Sequence, residues 1–220
     1  MATMVPIVYA IKEFAVHGPG VLPVVLVLAG LAFGWMFVRR QLRSDAPMLD
    51  MRLFRQGAFT GALLVNLLSV VALVGFLYFV TQHLQLIVGL SPLQAGLALV
   101  PGLVLMIVSG LAVVPISRRV SPRVVVPVAL ALSVAAYVMI ALSTDAAALG
   151  TLIAAFGLLG IGIGAAETVS NELILASAPP AKAGAASAVS ETAYELGAVL
   201  GTAVLGGILT ALYRSGIILP

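Results

Sequence analysis

The chain alternates between long apolar runs and short polar segments. Its uncharged runs cover residues 18–38, 56–82, 84–117, 124–144, 146–166 and 196–213. A helix needs about 20 apolar residues to span the hydrocarbon core of a bilayer. The pattern therefore predicts helices near 20–38, 57–82, 93–116, 123–143, 147–172 and 184–213. The opening stretch, 4–15, is too short to cross unaided and is interpreted as the end of a longer helix.

Turn-forming residues separate these helices. Ser91 precedes Pro92 and is predicted to cap the helix that begins there. Ser121 and Pro122 open the next helix in the same way. Residues 143–145 open the sixth span, and the pair at 179–180, both proline, separates it from the last helix.

The composition fits a membrane protein. Hydrophobic residues make up 62% of the 220 residues and charged residues 9%, whereas about a quarter of a soluble domain is charged. We therefore predict an all-α, polytopic transmembrane bundle in the cell membrane, with the lipid bilayer as its surroundings. The chain has no cysteine, which excludes disulfides and thiolate metal sites. It has no nucleophile–base pair, phosphate-binding loop or metal motif, so we expect neither an enzyme nor a metal site.

Basic residues cluster in alternate loops, which indicates an orientation. The three clusters are Arg39, Arg40, Arg43, Arg52 and Arg55; then Arg118, Arg119 and Arg123; then Lys182. By the positive-inside rule these loops are predicted to be cytoplasmic, and the formal charge of +3 is then no sign of a nucleic-acid partner. The loop 39–56 is either an amphipathic surface helix or a solvated basic linker. It divides the chain into 1–38, the loop 39–56 and a bundle over 57–220.

The last predicted helix carries two acids, Glu191 and Glu195, where a membrane helix should carry none. At about 100° per residue, Ser187 and Thr202 fall on the same face as these acids. The small residues Ala193, Gly197 and Gly201 fall about a third of a turn away, a stripe suited to close helix packing.

A carboxylate at membrane depth is costly unless it meets a cavity or a partner. A carboxyl group removed from water holds a proton, and a cationic substrate that binds there expels it. Glu191 and Glu195 are therefore the predicted substrate- and proton-binding residues. The alternative is that one of them is merely solvated at the cytoplasmic interface.

Other polar, aromatic and glycine-rich positions are interpreted mainly as groups that contact water or pack between helices. Glu167 and Glu172 are expected to reach water at the inner interface, with a gate or a salt bridge to Lys182 as the alternative. Tyr78 could line a cavity for flat cations together with its aromatic neighbours, or pack in the bundle. The glycines of the segment 160–164 are expected to serve close helix packing, because no strand precedes them.

Three segments resemble the fourteen-helix drug:proton antiporters of the major facilitator superfamily. The first is 43–55 (RSDAPMLDMRLFR), similar to the loop before their ninth helix. The second is 90–102 (LSPLQAGLALVPG), similar to the start of the tenth helix, and the third is 190–206 (SETAYELGAVLGTAVLG), similar to the thirteenth. The loop 115–123 (PISRRVSPR) resembles a family signature but has no acid before Arg118, so the charge-relay role of that loop is not carried over.

The resemblance implies a partial major facilitator fold, about helices 7–13 of 14. It implies proton-coupled efflux of lipophilic cationic small molecules by alternating access, with the proton gradient as energy source and no other cofactor. It also implies that the acids at 191 and 195 handle substrate and protons, and that a missing N-terminal half is required for activity. One alternative is a truncated, non-transporting membrane protein or interaction component. Another is a solute channel, which is less favoured because the sequence has no rings of charge and no repeated pore motifs.

Overall fold

The computed structural model describes residues 4–17, 20–43, 53–143 and 149–216, with side chains of the last helix described as far as Val204. Every regular element in these ranges is helical. The α-helices are α1 (Met4–His17), α2 (Val21–Arg43), α3 (Gly57–Leu86), α4 (Pro92–Ser117), α5 (Pro122–Leu142), α6 (Leu149–Ala176) and α7 (Ala183–Gly216). The predicted all-α helix bundle is thus confirmed.

Five of these helices, α2 to α6, are long and apolar enough to cross a membrane. They correspond to the uncharged runs of the sequence, because an apolar segment in lipid must satisfy its backbone internally and therefore becomes helical. The first helix has 14 residues, or about 21 Å at 1.5 Å per residue, which is less than the hydrocarbon thickness. The last has 34 residues and begins in the polar segment that carries the two acids.

The predicted loop 39–56 is shorter than the sequence indicated. Helix α2 continues through Arg43 instead of ending near residue 38, because Arg39, Arg40 and their neighbours extend a helix as readily as leucine does. The guanidinium of Arg39 lies over the Trp35 ring, 5.0 Å from its centroid. Residues 44–52 lie outside the described ranges, and a 3₁₀ turn at Leu53–Arg55 leads into α3.

The helix starts follow the predicted turn chemistry. Ser91 accepts a hydrogen bond from the Gln94 backbone N–H, and the Gln94 side chain accepts one from the Ser91 N–H, which completes a capping box. Gly89, with φ +78°, supplies the left-handed turn just before it. Ser121 caps α5 by accepting from the Arg123 backbone N–H.

Helix α6 lies at the centre of the bundle, packed along α4, α5 and α3. Its alternating glycines make this possible, since Gly160 faces α4 and Gly162 faces α5. A Cβ atom added at Gly160 would lie 2.5 Å from the Gly102 carbonyl oxygen, and one at Gly162 would lie 2.5 Å from that of Ala129. The backbones therefore touch on two sides of α6, which confirms the prediction of close helix packing.

Aromatic side chains join α3, α5 and α6 within the core. The rings of Phe76 and Phe156 are stacked at 5.4 Å, and the Tyr137 ring meets Phe76 edge-on at 5.8 Å. The Tyr137 hydroxyl donates a hydrogen bond of 2.7 Å to the Ala72 carbonyl oxygen, so the polar end of this ring has a partner. These contacts fix α3 against α6 and set the register of the polar groups described next.

Candidate functional site

Helix α7 presents two different faces. On one, Gly197 and Gly201 lie against α3, where added Cβ atoms would stand 2.7 Å from the Leu67 carbonyl oxygen and 2.9 Å from that of Val71. Ala193 is buried on the same side. This small-residue face is therefore the one along which α7 packs.

The opposite face of α7 carries the predicted polar residues. Ser187, Glu191, Glu195 and Thr202 are all exposed, and the Thr202 hydroxyl donates to the Ala198 carbonyl oxygen of its own helix. These residues line the outside of this bundle as one polar stripe.

A polar hydrogen-bond network joins three helices next to this stripe. The Asn66 amide on α3 donates to Asn171 Oδ1 on α6 at 3.2 Å and to Ser190 Oγ on α7 at 3.0 Å. Ser190 in turn donates to Asn171 Oδ1 at 2.7 Å. Asn66 is 1% exposed and Ser190 8% exposed, whereas Asn171 is exposed; the three bonds tie the three helices to one another.

Sequence reasoning missed this network, although one signal was present. Asn66 is the one asparagine in the apolar helix Gly57–Leu86, and a strongly polar residue at membrane depth is unusual enough to suggest a specific partner. The identity of its partners required the packing of α6 and α7.

Glu167, which was expected to reach water, is half-buried, with one of its carboxylate oxygens shielded from water. Helix α6 continues to Ala176, so Glu167 is nine residues before its end. The Oε1 atom of Glu167 is buried and has no hydrogen-bond partner among the described residues. Glu172, in contrast, is exposed as expected.

Tyr194 connects Glu167 with the acids of α7. Its hydroxyl lies within electrostatic range of the carboxylates of Glu167, Glu191 and Glu195. Tyr194 is itself 38% exposed, so it sits at the boundary between the interior of the bundle and the polar stripe. Three carboxylates from two helices thus act electrostatically on one phenol.

The remaining predicted positions lie elsewhere. Tyr78 is partly buried on α3. Of its neighbours, Phe76 is buried in the core and Phe79 is 40% exposed. The basic residues of the α4–α5 turn are all exposed; they are Arg118, Arg119 and Arg123. In the described part of the chain, no group of three histidine, cysteine or acidic side chains is arranged to hold a metal ion.

Comparison with known proteins identifies the family. The Major Facilitator Superfamily profile matches residues 6–202. The chain belongs to the major facilitator superfamily. Membership of this family agrees with the apolar helices: the chain is a multi-pass membrane protein and not an enzyme.

Several relatives of this major facilitator chain have names that refer to drugs. It is 48% identical to the multidrug efflux pump LfrA of Mycolicibacterium smegmatis over 99% of this chain and 43% of the relative. It is 34% identical to the methyl viologen resistance protein SmvA of Salmonella typhimurium, over 88% of this chain and 39% of the relative. The tetracenomycin C resistance and export protein of Streptomyces glaucescens is 31% identical over 89% of this chain and 36% of the relative. The chain thus spans about two fifths of the length of these relatives.

Proposed function

We propose that this chain forms part of a proton-coupled exporter of lipophilic cationic drugs that works by alternating access. The exposed stripe of α7 supplies the substrate- and proton-binding carboxylates, and the proton gradient supplies the energy. A further set of helices, corresponding to the N-terminal half of the fourteen-helix antiporters, closes the other wall of the cavity.

The polar stripe of α7 is the observation that carries this proposal. Counted from Ala183 at 1.5 Å per residue, Glu191 lies about 12 Å along the helix and Glu195 about 18 Å. Both side chains are exposed on the bundle surface, and at this depth that surface faces either lipid or another part of the transporter. Carboxylates against lipid tails are expensive. A second wall and a polar cavity between the two are therefore the favoured surroundings, near the midplane where transporter sites lie.

The chemistry of the stripe suits exchange of a proton for a cation. A carboxyl group in a cavity of low polarity is stable either as the neutral acid or as the carboxylate paired with a positive charge. Binding of a lipophilic cation therefore releases a proton, and return of the proton releases the cation. Because Glu191 and Glu195 are adjacent on one face, the site can hold two protons or one dication.

The relatives support a drug as the transported molecule. Their names refer to multidrug efflux, to methyl viologen resistance and to tetracenomycin C export. Methyl viologen is an aromatic dication, the type of ligand that two carboxylates and a nearby aromatic ring such as Tyr194 can hold.

Resistance measurements test the proposal. The complete product of the gene that encodes this chain is produced in a host lacking its own exporters, and growth is measured in tetraphenylphosphonium and methyl viologen. We expect Glu191→Gln and Glu195→Gln each to lower resistance by roughly tenfold, since each removes a charge from the cation site. Glu172→Gln is the matched control, because it removes an exposed carboxylate away from α7.

Two outcomes would count against this function. Unchanged resistance in both α7 variants, at membrane levels equal to the parent, would remove the assigned role of the stripe. No resistance from the parent gene product would favour the non-transporting membrane component instead.

A further inference from the structure

The interface between α3 and α6 contains buried polar atoms that no protein group satisfies. Four of them are Asn66 Oδ1, Ser69 Oγ, Glu167 Oε1 and Ser170 Oγ, none of which has a hydrogen-bond partner within the described residues. Ser170 is 0% exposed and Ser69 is 3% exposed. Buried polar groups are nearly always hydrogen-bonded, if not to protein then to water or a ligand.

These atoms come together because α3 and α6 run antiparallel. The Asn66–Asn171 hydrogen bond fixes the register. One turn further from Asn66 along α3 is Ser69, and one turn back from Asn171 along α6 is Glu167. Both steps lead in the same direction, so the two side chains share one layer of the bundle. Ser170 lies three residues from Glu167 on the same face of α6.

The layer is also connected to the proposed transport site. Glu167 and Ser170 follow the face of α6 that Ile163 and Ile174 bury against α3 and its surroundings. The Tyr194 hydroxyl is within electrostatic range of Glu167 and of the exposed acids of α7. A phenol hydroxyl accepts a hydrogen bond on its oxygen and donates one through its proton, so it can link a buried carboxyl group to an exposed one.

From this arrangement we infer that the α3–α6 interface holds an internal proton-binding site, with Glu167 as the proton carrier and Tyr194 as its link to Glu191 and Glu195. The inference rests on the proposed function. A proton on Glu167 converts one carboxylate oxygen from an acceptor into a donor, and bound water bridges the remaining acceptors and the two serine hydroxyls. During transport the proton passes from the Glu167 carboxyl group to a carboxylate of α7, and Tyr194 gains one proton as it loses another.

The ionisable groups around Glu167 are few. From α7 the group is Tyr194, whose hydroxyl is also within electrostatic range of Glu191 and Glu195. The sequence of α4 contains no ionisable side chain, and α5 brings Arg123, exposed at its first turn, and Tyr137, bonded to α3. On α3 the titratable residues are Tyr78 and His83, three or more turns beyond the Asn66 layer. A proton held by Glu167 would therefore reach the exposed acids through the link to α7.

Transport in proteoliposomes distinguishes proton coupling from substrate binding. The complete gene product is reconstituted, and labelled tetraphenylphosphonium is followed in two ways. One is uptake driven by a pH gradient, and the other is exchange of labelled for unlabelled cation with no gradient. The variants are Glu167→Gln and Glu167→Asp, with Glu172→Gln as the control on the exposed end of the same helix.

We expect Glu167→Gln to reduce gradient-driven uptake by about tenfold while exchange stays within about twofold of the parent, because the substrate site remains but the coupled proton is lost. Glu167→Asp and Glu172→Gln should retain both activities. Driven uptake equal to the parent in Glu167→Gln would overturn the inference. Equal loss of uptake and exchange in both Glu167 variants would also overturn it, because the residue would then serve structure or substrate.

A second variant covers the case in which Glu167→Gln does not fold. Ser170→Ala removes one buried hydroxyl, so lower driven uptake with retained exchange supports the site, and unchanged uptake contradicts it. The parent protein separates this inference from the proposed function. If the parent performs neither exchange nor uptake, the exporter proposal fails; if the parent performs both and the variants match it, only the internal proton site fails.

Discussion

Helices α6 and α7 carry the same kinds of residues in different surroundings. Each has two glutamates and a run of small residues, but α6 is packed by α3, α4 and α5, whereas α7 packs mainly along α3. As a result Glu167 on α6 is half-buried, and α7 leaves both Glu191 and Glu195 exposed. The packing around each side chain, more than the residue type, decides whether an acid here is shielded from water or exposed.

The largest effect is expected where α6 touches two neighbours. Gly160→Leu forces a side chain into the Gly102 carbonyl, and we expect it to lower the free energy of unfolding by about 3 kcal/mol, as overpacking of rigid backbone does. Thermal unfolding and size-exclusion profiles of the purified protein in detergent measure this. Gly150→Leu, on the same helix with nothing within 4 Å of its added Cβ, should behave like the parent. Equal behaviour of the two variants would contradict the central position of α6.

A smaller loss is expected on α7, which is packed on fewer sides. Gly197→Leu meets the Leu67 carbonyl oxygen and the Val70 side chain, but α7 can shift outward, so we expect about 2 kcal/mol. Gly184→Leu, whose added Cβ meets nothing within 4 Å, is the control, and the same unfolding assay applies. A loss larger than that of Gly160→Leu would reverse the comparison between the two helices.

The hydrogen bonds that join both helices to α3 should contribute less again. Asn66→Ala removes two bonds but leaves Ser190 donating to Asn171, so we expect a loss of about 1–2 kcal/mol. Thr192→Ala is a suitable control, because Thr192 is exposed and bonds only within α7. If Asn66→Ala and Thr192→Ala have equal unfolding temperatures, the network does not stabilise the packing of the helices.

The smallest effect on stability is expected for the acids of the exposed stripe. Glu191→Gln should change the free energy of unfolding by no more than about 0.5 kcal/mol, because its side chain is not packed. Its effect on resistance should nevertheless be large. A fall in unfolding temperature matching that of Asn66→Ala would mean that Glu191 is packed and that its variant tests folding instead of transport.

Much of the fold was readable from the sequence because the constraint behind it is local. Uncharged runs of sufficient length must become helices in lipid, and Ser91 and Ser121 mark helix starts through bonds within a single turn. The helix ends were less accurate, because arginine at residues 39–43 neither forbids nor requires helix. The end of α6 was also predicted too early, near residue 172, four residues before it ends in the structure.

The candidate site was readable only in part, since it depends on contacts between helices. The polar stripe of α7 follows from the spacing within one helix. The position of Glu167 does not, because its burial results from the register of α3 against α6, which the Asn66–Asn171 bond and the aromatic stack determine. The partners of Asn66 lie 105 and 124 residues away in the chain, and no local pattern predicts such pairs.

The alternating glycines of α6 limit how this protein can move. Backbone that touches backbone on two sides, with no flexible side chain in between, cannot slide by a helical turn without collision. Helices α4, α5 and α6 are therefore expected to move as a single block in any rearrangement of the bundle. The hinge for such a motion has to lie outside that block, at the turns and at the borders with α3 and α7.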